Sequence, residues 1–176
     1  DCLPTPEGIE VCRDYHIQMP MQSAFIGWKQ EPDDYLEHIL GHDRLEKLNP
    51  IKTFRDNDIM VSFGSDAPCT TPDPIAWMDR AVNNDNAGQA VSVQDALRMC
   101  TYNGAWAAFD EQERGSLEAG KIADMAVLSE NPYTVPKDKI KDIRVERLYL
   151  SGKSYESCRK SILPMMLRGL TSRNKA

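Results

Sequence analysis

Asp58-Ile59-Met60-Val61-Ser62-Phe63 carries no charge after its first residue and mixes β-branched, aromatic and small side chains. That is the composition of a strand covered on both faces, which occurs in parallel sheets flanked by helices rather than in half-exposed antiparallel ones. Gly64 ends the run, and Ser65-Asp66-Ala67-Pro68 follows it. In barrels of parallel strands the residues just past the carboxyl end of a strand line the active-site mouth, so Asp66 stands where a catalytic or metal-binding side chain is expected. An aspartate after a strand also serves as a helix cap or Asx-turn residue, and the local sequence leaves both roles open. Pro68 and Pro72 stiffen the loop. Thr71 or Asp73 caps the helix that continues through Ile75-Ala76-Trp77-Met78, with Pro74 at its first turn.

The remaining segments alternate helix and strand. A helix capped by Thr5 with Pro6 at its first position spans residues 3–14, a second strand is predicted over 15–22, and an acidic start and Gly41 bound a helix over 33–40. Ser92, with Asp95 three residues on, caps a long helix running to about residue 109 whose apolar positions share one face. Trp77 and Trp106 read as packing residues rather than substrate contacts. Further on, residues 124–129 and 144–153 read as strands, the second alternating polar and apolar, which describes a half-exposed sheet. Asp124 reads as structural. Residues 158–176 read as a basic helical appendage.

Charge and cysteine usage remove several classes of function. A net charge of −6 and a pI near 5.1 argue against nucleic-acid binding through a basic surface. No apolar run approaches the roughly 18 residues a membrane span needs, and no signal peptide opens the sequence. Five cysteines, odd in number and without a Cys-x-x-Cys pair, fit reduced cytosolic thiols better than a disulfide framework or a structural zinc site. Cys69 lies near Asp66 but lacks a neighbouring histidine to activate it. His16, His38 and His42 form no His-x-His pair, and none is taken as a ligand.

Three ordered stretches resemble the amidohydrolase superfamily, in its YtcJ-like and N-substituted formamide deformylase-like branch. The first comprises the Gln22 strand end, Leu40-Gly41-His42-Asp43-Arg44 with Pro50, Phe63-Gly64-Ser65-Asp66-Ala67-Pro68, and Asp73-Pro74. The second is Ser92-Val93-Gln94-Asp95-Ala96-Leu97 with Thr101-Tyr102-Asn103-Gly104-Ala105-Trp106-Ala107. The third is Gly115-Ser116-Leu117-Glu118-Ala119-Gly120-Lys121-Ile122-Ala123-Asp124, followed by Leu128 and Asn131-Pro132.

The resemblance implies an α/β chain forming the C-terminal part of a (β/α)8 TIM barrel over residues 1–110. Part of a small β-sandwich follows over 111–157, and a helical tail over 158–176. A complete barrel needs roughly 250 residues, so 176 residues supply only part of one. Asp1-Cys2-Leu3-Pro4 falls where the family carries its sixth-strand histidine.

The implied activity is metal-dependent hydrolysis of non-peptide carbon–nitrogen bonds in small amide-type substrates. Asp66 is the catalytic residue and, in the complete site, a metal ligand. In that family the matching aspartate takes a proton from metal-bound water and returns it to the leaving nitrogen. Gln22 is expected to contact substrate. The implied cofactor is a divalent metal, zinc foremost, in the complete enzyme, with none expected on this chain alone, which by itself is expected to be inactive. Open sheet edges are expected to be covered by self-association or by a missing N-terminal portion. The alternative is a non-catalytic regulatory or assembly domain derived from the same fold.

Overall fold

Two helix–turn–strand units with the same backbone plan set up the parallel sheet. They appear in a computed structural model that describes residues 2–26 and 35–155. In the first unit, helix α1 (Pro6–Asp14) is capped by Thr5, whose Oγ1 accepts from the Gly8 amide at 3.1 Å. It ends with His16 at φ +53, where the His16 amide donates to Arg13 C=O and the Ile17 amide to Cys12 C=O at 2.8 Å. That paired closure is a Schellman motif with the left-handed residue just past the cap. Strand β1 (Met19–Met21) follows.

After α2 (Tyr35–Leu40) and α3 (His42–Leu45), the second unit repeats the plan. Helix α4 (Ile51–Asp56) ends on Asp58 at φ +57, with the Asp58 amide bonded to Arg55 C=O and the Ile59 amide to Phe54 C=O at 3.0 Å. Strand β2 (Val61–Phe63) then runs parallel to β1, with Met19 opposite Val61 and Met21 opposite Phe63. His16 and Asp58 hold corresponding places. The strand expected over 15–22 is therefore confined to Met19–Met21, because residues 15–17 are used to close the preceding helix.

Three helices cover this pair: α5 (Pro74–Val82), α6 (Val93–Cys100) and α7 (Tyr102–Ala107). Phe54 is fully buried with Ile51, Val61, Met78, Ala81, Ala96 and Met99 in one apolar cluster. Both Val61 and Ser62 are buried, so β2 is covered on two faces as its sequence predicts. The long helix expected over 92–109 breaks instead at Thr101 (φ −125, ψ −90). Thr101 Oγ1 bonds back to Leu97 C=O at 2.8 Å, a local competition that β-hydroxyl residues offer to the helix ladder. Gly115 (φ +84) seats the following loop against α7. A Cβ there would lie 2.6 Å from Ala105 Cβ, so only glycine fits.

The second sheet is antiparallel, in the order β3 (Met125–Leu128), β4 (Val145–Leu150), β5 (Lys153–Ser154). The strand expected over 144–153 turns back at Ser151 and Gly152, at φ +51 and +74, as a two-residue type I′ hairpin requires. A half-buried Lys121 holds the approach to β3, donating to Glu111 C=O and Ser116 Oγ, both at 2.6 Å, and pairing with Glu118. Asp124 is structural as expected: it pairs with Arg114 and accepts from the Ser151 amide at 2.8 Å. Between β3 and β4, a 3₁₀ turn (Lys137–Asp142) inserts Ile140 into the main core against α5, and Asn83 Nδ2 donates to Lys137 C=O at 2.8 Å. The appendage expected over 158–176 lies outside the described residues.

Candidate functional site

Parallel pairing brings the two predicted site residues to one end of the sheet. With Met21 opposite Phe63 and the Gly64 amide bonded to Met21 C=O at 3.0 Å, Gln22 stands abreast of Gly64, and Asp66 follows in the next turn. Both lie past the carboxyl ends of their strands, where ligands of such sheets bind. Gln22 is half-buried and opens a 3₁₀ turn (Ser23–Phe25).

The loop after β2 makes its internal hydrogen bonds without using the Asp66 carboxylate. Ser65 Oγ accepts from the Ala67 amide at 3.1 Å, Asp66 C=O accepts from the Cys69 amide at 2.8 Å, and Thr70 Oγ1 donates to Ser65 C=O. Asp66 itself is held at φ +52, a left-handed conformation that aspartate tolerates better than most residues. Its side chain is exposed and takes no hydrogen bond or ion pair among the described residues.

The capping role belongs to Asp73, whose Oδ1 accepts from the Ile75 and Ala76 amides at 3.0 and 3.4 Å. Thr71, the other candidate, contributes its carbonyl instead, to the Trp77 indole N–H at 3.2 Å. Trp77 is half-buried, and its own carbonyl accepts from the buried Ser23 hydroxyl at 3.0 Å. One tryptophan thus ties the turn after Gln22 to the loop after Asp66. Trp106 is likewise half-buried. Sequence reading missed Trp77 as a positioning residue, and neither the hydroxyl of Ser23 nor the carbonyl of Thr71 marks that role in the sequence.

The histidines stand apart from this end. His16 closes α1 ahead of β1, at the opposite end of the strand. His38 is exposed on α2, and His42 pairs with Glu37 and Glu46 on the surface. Among the described residues no group of three or more His, Cys, Asp or Glu side chains is arranged to hold a metal ion. Asp66 offers one carboxylate where a zinc or similar ion takes about four donors. These residues therefore do not make a metal site by themselves.

The cysteines are free at Cys2, Cys12, Cys69 and Cys100. Burial pushes the Cys100 thiol up to about 12, which leaves it inert as a nucleophile. Cys69 is exposed in the Asp66 loop with no histidine bonded to it. Among the described residues, no helix is long and apolar enough to cross a membrane.

Comparison with known proteins bears on the same residues. The model of the amidohydrolase family matches residues 7–155. The N-substituted formamide deformylase of Arthrobacter pascens is 32% identical over 152 residues, covering 82% of this chain and 26% of the deformylase. The YtcJ protein of Bacillus subtilis is 26% identical over 123 residues, 64% of this chain and 23% of its own length. Among solved structures, an uncharacterized metal-dependent hydrolase from Pyrococcus furiosus superposes with a TM-score of 0.66 at 25% identity, over 75% of this chain and 27% of that one. The chain thus spans about a quarter of the length of each of these proteins.

Proposed function

Because this chain belongs to the amidohydrolase family, in its YtcJ-like and formamide deformylase-like branch, we propose that it is the part of a metal-dependent hydrolase that delivers the catalytic carboxylate for cleaving non-peptide carbon–nitrogen bonds. The observation that carries this is Asp66. It is an exposed carboxylate past the end of a buried parallel strand, with no hydrogen bond among the described residues, in a loop whose internal hydrogen bonds and helix cap are made by other groups.

Hydrolysis of an amide-type bond requires that a water oxygen bond to the carbonyl carbon, that the C–N bond break, and that a proton from that water reach the departing nitrogen. A carboxylate within roughly 2.6–3.2 Å of the water accepts that proton and, once protonated, donates it to nitrogen. Asp66 is free to do both. Gln22, one residue past β1, carries a carboxamide that donates and accepts, and is proposed to hold the substrate's amide. The substrate is a small molecule with an amide-type group.

The divalent metal that the family implies, zinc foremost, is proposed to take its remaining ligands from outside these residues. Residues 1–110 are then the last strand–helix units of a barrel and 111–157 a share of a small sandwich. The chain alone is inactive on this reading, its open edges are met by the rest of the hydrolase fold, and its location is cytosolic.

Two measurements test the proposal. Elemental mass spectrometry of the purified 176-residue chain should find well under one metal ion per polypeptide, whereas one equivalent would overturn the placing of the other ligands elsewhere. In the longer polypeptide containing this chain, Asp66→Asn should abolish hydrolysis of N-substituted formamides and related amides. Wild-type turnover in that variant would overturn the role of Asp66.

A further inference from the structure

Trp77 takes part in two hydrogen bonds that the backbone around it does not need. Ser23 Oγ donates to Trp77 C=O at 3.0 Å. That carbonyl lies inside α5, where the helix ladder already offers it the amide of residue 81. The Trp77 indole N–H donates to Thr71 C=O at 3.2 Å, and Thr71 C=O already accepts the Asp73 amide at 2.8 Å. A carbonyl has two lone pairs, so each bond is a second acceptance. Removing either one leaves no backbone carbonyl without a partner. Neither bond is there to satisfy a carbonyl, and what the pair fixes is distance.

The distance runs between the two halves of the candidate site. Ser23 directly follows Gln22 and is 1% exposed, so packing as well as its partner sets its hydroxyl. Thr71 ends the loop that carries Asp66, in which Thr70 Oγ1 donates to Ser65 C=O and the Cys69 amide to Asp66 C=O at 2.8 Å. The parallel ladder stops at the Gly64–Met21 bond. Past it, no hydrogen bond joins Gln22 or Ser23 directly to residues 65–72 among the described residues. The connection passes through α5 instead. Met78, Ala81 and Val82 bury that helix in the core and Asp73 caps its first turn, which makes it a firm base for both bonds.

We propose that Ser23 and Trp77 act as one clamp that holds Gln22 and Asp66 at a single separation. The Ser23 hydroxyl grips α5 from the β1 side, and the Trp77 indole grips the Asp66 loop from the β2 side. Both are positioning residues for the hydrolysis proposed above, and the inference rests on that reading. A substrate amide held at Gln22 then presents its C–N bond at one place relative to the Asp66 carboxylate, the alignment on which proton transfer depends. Two ties in series fail together. Cutting either one frees the same separation, so cutting both loses no more than cutting one, and the two substitutions are not additive.

One arm of the test is spectroscopic and independent of catalysis. In the 176-residue chain, Ser23→Ala should shift the NMR signals of the Asp66 and Cys69 amides, which Ser23 reaches through Trp77. The Ile59 amide, bonded to Phe54 C=O, should keep its signal and so report an intact fold. Unmoved Asp66 and Cys69 signals would overturn the clamp. Should Ser23→Ala fail to fold, the Trp77 indole of the unmutated chain decides: bonded to Thr71, its proton should exchange with solvent about tenfold or more slower than that of a free indole, and exchange at the free rate would overturn the proposal. The other arm uses the complete hydrolase. Ser23→Ala and Trp77→Phe should each lower kcat about tenfold or more with KM within about threefold of wild type, because binding at Gln22 survives and alignment with Asp66 does not. The double variant should be no slower than the slower single one. Losses that multiply, as separate structural defects do, or wild-type kcat in a folded Trp77→Phe, would overturn the clamp. Loop signals that move while no Asp66-dependent turnover exists would leave the clamp standing and sink the hydrolase reading. Asp66-dependent turnover with unmoved loop signals and wild-type kinetics in Trp77→Phe would do the reverse.

Discussion

The two ends of β2 treat polar groups in opposite ways. At its amino end, Arg55 pairs with Asp56 and Asp95, Ser92 Oγ donates to Asp95 at 2.6 Å and accepts the Asp95 amide at 3.0 Å, and Asn103 bonds Val61. At its carboxyl end, Asp66 is exposed and its carboxylate is unengaged among the described residues, while its own carbonyl and the Ala67 amide beside it are bonded within the loop. Charge committed to neighbours stabilises, and charge left uncommitted at a strand end is available for chemistry. The contrast separates acids committed to neighbours from the one proposed to be catalytic, which no count of acidic residues would do.

The largest expected effect lies at the carboxyl end and on activity alone. Asp66→Asn in the complete hydrolase proposed above should lower turnover by about 10²–10⁴-fold, the range of a lost general acid–base group. The unfolding free energy should change by no more than about 0.5 kcal/mol, because nothing among the described residues bonds that carboxylate. A large loss of stability would erase the distinction between the two ends. Next in size comes Phe54→Ala beside the amino end. It empties a fully buried site under β2 and should cost about 3–5 kcal/mol in urea unfolding.

A smaller effect carries a pH signature. Burial acts to raise the Asp95 carboxyl, but hydrogen bonds from Ser92 and Arg55 and the guanidinium charge outweigh it, holding the carboxyl below its ordinary value of 3.8. A carboxyl depressed in the folded state stabilises above its unfolded pKa and loses that contribution as pH falls through the folded value. Asp95→Asn should therefore cost about 1–2 kcal/mol at pH 7, reduced from the buried-pair range by partial exposure. The gap between variant and wild type should narrow below about pH 4. A gap constant from pH 7 to 2 would mean that the geometry of the cap, not the charge, does the stabilising.

The carboxyl end of β2 was legible in the sequence because it rests on local chemistry. A charge-free apolar run and a terminating glycine read as a strand and its stop, and Asp66 as lying just past that stop, although the strand starts at Val61 rather than Asp58. At the amino end only the Ser92–Asp95 cap was legible, because the other roles there depend on partners distant in sequence. Asn103 reaches Val61 across 42 positions and Arg55 reaches Asp95 across 40. Strand and helix lengths were overdrawn for a related reason. His16 and Asp58 end helices in left-handed geometry without glycine, and Thr101 breaks one by bonding back to Leu97, so no glycine or proline announced these boundaries. The family resemblance carried the reading further than the residues alone, through the ordered motifs around Asp66, Asn103 and Lys121.

The sharpest form of the comparison uses two aspartates of the same loop. Asp73 is exposed like Asp66, yet its Oδ1 accepts two amides at the start of α5, and α5 carries Trp77, which joins the loop after β2 to the turn after β1. Asp73→Ala should cost about 1 kcal/mol, the usual loss for a helix cap. It should lower turnover only to the extent that the Asp66 loop loosens, so the pH profile of the remaining activity should keep its shape. Asp66→Ala should do the reverse, leaving thermal unfolding unchanged and removing turnover. Paired measurements of unfolding and kcat on the two variants check this directly. If both lost stability, or both lost activity alike, the division between a bonded acid that holds the loop and an unbonded acid that performs chemistry would fail.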